Sequence, residues 1–129
     1  MFYLGHVPAR RAGANFLFAS ITGNISGWDP NAPAAGSTTA VIAASHPGHV
    51  YTGLAIANNG ANHLYAADFA NGTIDVFDAS FALQPAASFP FVDPTIPTTM
   101  GNTYHPFNIQ AIGGSALRHV CQSGSHDRP

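Results

Sequence analysis

The chain has 129 residues, 46% of them hydrophobic and only 8% charged, against a usual charged fraction of about 25%. Four Arg and six Asp carry the whole formal charge, a net -2, and there is neither Lys nor Glu. That composition argues against long surface helices, whose exposed positions favour Glu, Lys, Gln and Arg, and against a basic nucleic-acid-binding face. The single cysteine, Cys121, excludes an internal disulfide and a CxxC metal site. No apolar run approaches the roughly 18 residues that a membrane helix needs. Thirteen Gly, ten Pro and many Asn, Ser and Thr predict frequent turns between short strands.

Residues 1–13 (MFYLGHVPARRAG) lack the apolar core of a signal peptide and read as an irregular N-terminus. Residues 15–21, 24–29 and 39–44 then read as three strands. Four more follow at about 53–57, 62–68, 73–78 and 86–92. Residues 107–112 (FNIQAI), before Gly113 and Gly114, resemble the GLAIA run at 53–57 and open another unit. From residue 115 the sequence (SALRHVCQSGSHDRP) leaves this pattern, and disorder is expected there.

An internal repeat organises these segments. NFLFASITGNISGWD (15–29) matches NHLYAADFANGTIDVFD (62–78), with Asn15 on Asn62, Leu17 on Leu64, Gly23 on Gly72 and Ile25 on Ile74. Trp28 falls on Phe77, and Asp29 on Asp78. The offset of about 47–49 residues lies within the period of propeller blades. Each copy reads as a hairpin. Asn71-Gly72 is a two-residue turn signal because both residues tolerate φ > 0. Asp78 stands where a strand ends, ready to accept turn amides. The expected fold is all-β, a β-propeller fragment of four-stranded antiparallel meander blades: about one complete blade plus two partial blades. The divisions are an N-terminus 1–13, a partial blade 14–49, a complete blade with its connection 50–104, the start of a third blade 105–114 and a tail 115–129. A β-sandwich is the competing architecture; the repeat favours the propeller.

Several pieces resemble a bacterial family of exported β-propeller proteins whose function is not established and which often carry PEP-CTERM sorting signals. The main one is GLAIANNGANHLYAADFANGTIDVFDASF (53–81). LFASITGNISGWDP (17–30), FVDPTIP (91–97) and HPFNIQAIGG (105–114) accompany it, so the resemblance spans about residues 15–114. It implies an extracellular or cell-envelope setting and further propeller blades in a longer parent. After Gly114 the family pattern calls for another apolar strand. The composition shift there suggests a frameshift or truncation.

Several residue sets carry candidate site chemistry. His46 and His49 form an HxxH pair with zinc-ligand chemistry, in a Pro- and Gly-containing segment that reads as a solvated loop between blades. His119, Cys121 and His126 offer soft ligands within the tail. Asp68, Asp75 and Asp78 could make a calcium or general-acid set, with turn and strand-edge roles favoured. Asp68 stands out because Ile21 occupies its place in the first copy. Trp28 and Phe77 are expected to pack between blades. Asn24 and Asn71 begin glycosylation sequons, but both lie in turns that already explain Asn. No catalytic, cofactor-binding or metal residues are assigned. The leading functional reading is a non-catalytic binding or scaffold module. The alternatives are a piece of a metal-dependent propeller hydrolase or lactonase, drawing on Asn58, Asn59 and Asn108, and a truncated product with no function of its own.

Overall fold

The structure, a computed structural model, describes residues 2–7, 10–32, 34–58, 60–89, 91, 103–112 and 115–123. The described residues are all-β, without an α-helix, and every strand pairing is antiparallel. No helix among them is long and apolar enough to cross a membrane.

A hairpin of β1 (Tyr3–Val7) and β2 (Arg10–Gly13) comes first. The strands β3 (Phe16–Ala19), β4 (Asn24–Trp28) and β5 (Val41–Ser45) form a three-stranded meander. A second meander contains β6 (Tyr51–Asn58), β7 (Asn62–Asp68) and β8 (Thr73–Phe77). The last hairpin pairs β9 (Thr103–Ile112) with β10 (Ser115–Ser123).

The second sheet is the middle of three layers, and its composition explains why. Leu64 to Asp68 on β7 and Ile74 to Phe77 on β8 are buried without a break, as expected of strands covered on both faces. Alternation sorts the side chains. Leu64, Ala66 and Phe77 face the first sheet and pack with Ile25. Tyr65, Ala67, Ile74 and Val76 face the other way and pack with Ile109 of β9. Fully burying a side chain such as Leu64 or Phe77 stabilises the fold by about 1.5–3 kcal/mol.

Two close approaches set the layer spacing. Gly23, at φ +84°, ends the β3–β4 turn beneath the carbonyl of His46, where any Cβ would collide with main chain. Gly53 on β6 lies against the side chain and Cα of Asn108 on β9, again leaving no room for a Cβ. Beside it, the Thr52 hydroxyl donates to the Phe107 carbonyl at 2.5 Å.

Four sequence expectations change. The strand expected at 86–92 does not form over its described residues. Leu83 bridges to Phe77, and the Gln84 N–H donates to the Val76 carbonyl at 2.7 Å, so pairing begins. Pro85 then removes the next donor, and Ala86–Ser88 turns as a short 3-10 helix. The segment expected to form a complete four-stranded blade thus contains a three-stranded sheet. The tail expected to be disordered contains β10 over 115–123, paired with β9 from Ser115 opposite Ile112 to Ser123 opposite Thr103, with a register shift where Phe107 is passed over. Main-chain pairing does not need the composition of the earlier strands. The same holds for residues 1–13, where β1 and β2 pair with each other and not with β3. Finally, only one of the two turn residues that tolerate φ > 0 uses it. Asp68 pairs with Thr73 across a four-residue connection, and Gly72 takes φ +69° while Asn71 does not enter the positive range.

Strand pairing also shifts the sequence match by one residue on the first strand of each hairpin. Phe16 lies opposite Trp28, and Leu64 opposite Phe77. Phe16 therefore corresponds to Leu64, and the Leu17–Leu64 match is one residue out.

Candidate functional site

The densest polar constellation among the described residues lies where the segment between β5 and β6 meets the second sheet. That segment, residues 46–50, is pinned at both ends. The His46 N–H donates to the Gly23 carbonyl at 2.8 Å, and the Val50 N–H donates to Asp68 Oδ1 at 3.1 Å. His49 leans inward between these anchors.

Strand geometry places the partners. Asp68 ends β7, paired with Tyr51 on one side and Thr73 on the other. Asp75 lies two residues beyond Thr73 on the same strand, so it shares that face. Tyr51 reaches the face through a bulge. Tyr51 pairs with Asp68 while Gly53 pairs with Ala67, leaving Thr52 unpaired. The extra residue turns Tyr51 to the same side as Leu54, towards the first sheet.

The two carboxylates converge on one imidazole nitrogen. His49 Nδ1 lies 2.5 Å from Asp68 Oδ2 and 2.9 Å from Asp75 Oδ2. The Tyr51 hydroxyl donates to Asp75 Oδ2 at 2.9 Å. Asp68 also accepts the Asn71 N–H at 3.3 Å and the Asn71 side-chain amide at 2.7 Å. The Thr73 hydroxyl donates to Asp75 Oδ1 at 3.1 Å. Each carboxylate oxygen thus has at least one donor, the condition for burying it. Burial, followed by the neighbouring Asp75 charge, pushes the Tyr51 phenol well above its ordinary pKa, so it stays protonated as a donor. Burial raises Tyr65 as well, on the opposite face.

The sequence sets are regrouped by the fold. His49 of the HxxH pair joins Asp68 and Asp75 of the carboxylate set. His46 instead packs its ring 5.6 Å from that of Phe77 and 5.4 Å from that of His49. Asp78 serves the turn after β8, accepting the Ser80 N–H at 2.8 Å and the Ala82 N–H at 3.0 Å. Asp29 accepts the Asn31 N–H at 2.7 Å in the same way. Asn71 is engaged by Asp68, and Asn24 donates to the Thr22 hydroxyl at 3.4 Å, so both sequon asparagines act within their turns. Asn58 donates to Asn62 at 3.0 Å at the far end of β6 from Tyr51, roughly 23 Å along the strand. Asn108 lies beside Gly53, five residues from Asn58, so these two are not brought together; Asn59 is outside the described residues. His119 and Cys121 fall on β10 opposite Asn108 and His105, and His126 is outside the described residues.

Tyr51 was missed by sequence reasoning. The signal for it was Gly53, since a glycine inside a strand pattern marks a bulge. Among the described hydrogen bonds none carries a Ser or Thr hydroxyl to His49; the Tyr51 hydroxyl lies 3.5 Å from its Nδ1. The arrangement holds one imidazole nitrogen between two carboxylates. No protein-family model, curated protein or solved structure matches the chain.

Proposed function

We propose that the chain is a non-catalytic binding or scaffold module built on propeller-type blades, from an exported bacterial protein acting outside the cell or at its envelope. The observation that carries the architecture is the sense in which the layers stack. Ile25 corresponds to Ile74. The Ile25 side of the first sheet packs onto the second sheet, and the Ile74 side of the second packs onto the β9–β10 hairpin. Each layer therefore presents the same face to its successor. Radial repetition requires that head-to-tail order, whereas a sandwich brings two inner faces together.

The opposite face of the first sheet supports the same reading. Phe16, Phe18 and Ile42 on it are 61%, 51% and 60% exposed, and Trp28 lies beside Phe16 with ring centroids 5.9 Å apart. By strand pairing Phe16, Phe18 and Trp28 correspond to Leu64, Ala66 and Phe77, whose face is covered by a neighbouring sheet. An exposed apolar face of this kind is an inter-blade surface without its blade. In support of the non-catalytic part, the carboxylates of Asp29 and Asp78 are taken up by turn amides.

The test is solution behaviour. The isolated chain is expected to self-associate in light scattering, and Phe16→Lys with Phe18→Lys is expected to suppress this without lowering the unfolding midpoint. A wild-type chain that is monomeric and unfolds cooperatively at ordinary temperatures would overturn the inter-blade assignment. Turnover of lactones or esters, with or without divalent metal, would overturn the non-catalytic one.

A further inference from the structure

We infer that His49, Asp68 and Asp75 form a divalent-cation site of the zinc type, between the 46–50 segment and the second sheet. The inference stands on these residues alone and does not depend on the blade architecture. One ligand atom from each residue lies within 4.8 Å of the other two. The donors come from three separate segments: the loop before β6, the end of β7 and the middle of β8.

The charge balance calls for a cation. Asp68 and Asp75 make their only described ion pairs with the same His49 nitrogen. That nitrogen offers at most one proton to two carboxylates, and Asp68 is completely buried. The chain contains no Lys. A doubly charged ion between the three ligand atoms would neutralise both carboxylates. Zinc–oxygen and zinc–nitrogen bonds run about 2.0–2.2 Å, so the present 2.5 and 2.9 Å contacts need only open by several tenths of an ångström.

The surroundings suit such a site. Metal-ligating carboxylates are normally oriented by further hydrogen bonds. Here Asn71 and the Val50 N–H hold Asp68, while Tyr51 and Thr73 hold Asp75. The Tyr51 hydroxyl, 2.9 Å from Asp75 Oδ2 and 3.5 Å from His49 Nδ1, stays a donor to Asp75 beside the three ligand atoms. The His49 and Asp75 side chains are 27% and 11% exposed, so an ion enters from the His49 side. An imidazole with two carboxylates suits Zn²⁺ better than Mg²⁺ or Ca²⁺, which prefer all-oxygen shells.

Titration calorimetry of the full chain with ZnCl₂ tests the inference, with MgCl₂ as control and the Phe16→Lys, Phe18→Lys chain as a second, non-associating sample. One Zn²⁺ per chain is expected, with proton release and a zinc-dependent rise in Tm. His49→Gln and Asp75→Asn should each weaken binding more than about 100-fold, and Asn71→Ala by about tenfold, the range of an outer partner. His46→Gln and Cys121→Ser should leave binding unchanged. Cobalt loading should give a spectrum without a thiolate charge-transfer band. His49 is partly exposed, so His49→Gln decides the matter should Asp75→Asn fail to fold. Absence of zinc-dependent heat and Tm shift would overturn the inference, as would undiminished binding in folded His49→Gln.

Discussion

Replacing Asp68 by Ala should be among the most damaging single polar substitutions in this chain. The side chain is fully buried and accepts from the Val50 N–H, the Asn71 N–H, the Asn71 amide and His49. Truncation leaves two backbone donors without their side-chain acceptor where strand β7 meets the turn. Each donor left unsatisfied in the interior costs about 1–3 kcal/mol. Two such donors place Asp68→Ala at about 2–6 kcal/mol. Asp68→Asn retains one oxygen for the two N–H groups but turns an amide donor towards His49 and Asn71, for a loss of about 1–3 kcal/mol. Urea denaturation followed by circular dichroism measures both, using the soluble Phe16→Lys, Phe18→Lys background and no added metal. A loss below about 1 kcal/mol for Asp68→Ala would refute the reasoning, as would a larger loss for Asn than for Ala. Domains are stable by only about 5–15 kcal/mol, so the expected loss is a substantial fraction of the whole.

The raised Tyr51 pKa carries a pH prediction. The folded chain holds the phenolic proton after the unfolded chain begins to lose it near pH 10, so stability is full below that pH and falls as pH rises. The slope is at most about 1.4 kcal/mol per pH unit for this group. Tyr51→Phe should flatten the fall by that amount, leaving the contribution of Tyr65; an unchanged slope between pH 9 and 11 would count against the burial argument. Gly23→Ala should cost well over 1 kcal/mol, because φ is +84° and the Cβ meets the His46 carbonyl. Gly48→Ala, with φ +90° in open space, should cost only about 1 kcal/mol or slightly more; equal losses would show that the His46 contact is unimportant. Asp78→Ala should cost about 1 kcal/mol by releasing the Ser80 and Ala82 amides, read from the same urea curves.

Much of the local structure could be read directly from the sequence, for reasons that act over a few residues. Asp29 and Asp78 each follow an aromatic residue at a strand end, where a short carboxylate reaches the amide two residues on. Alternation along Thr73 to Phe77 separates Ile74 and Val76 from Phe77, as the packing does. Where local signals were weak, the reading failed. Residues 86–92 are apolar enough for a strand, yet Pro85 stops the ladder that Leu83 begins. Residues 115–123 carry no repeat pattern, yet their main chain pairs with β9 through nine register positions.

The candidate site was legible only in pieces. His49 was visible as half of an HxxH pair, and Asp68 as a departure from the first copy. Strand pairing makes Ser20 the counterpart of Asp68, not Ile21, since Ala19 lies opposite Ile25 as Ala67 does opposite Ile74. The Ser20 hydroxyl accepts the Asn24 N–H at 3.2 Å, so the turn role is common to both hairpins and the charge belongs to the second alone.

By itself, then, the sequence determined an all-β chain of short antiparallel strands. Low charge, absent Glu and Lys, period-two alternation and turn residues act locally and point the same way. Only the tertiary structure decided that His49, Asp68, Asp75 and Tyr51 meet. Residues 46–50 are placed by a hydrogen bond to a glycine in another sheet, and Tyr51 is turned by a single unpaired residue, Thr52. A one-residue bulge reverses which face a side chain occupies, and the alternation on either side of it does not reveal where it falls.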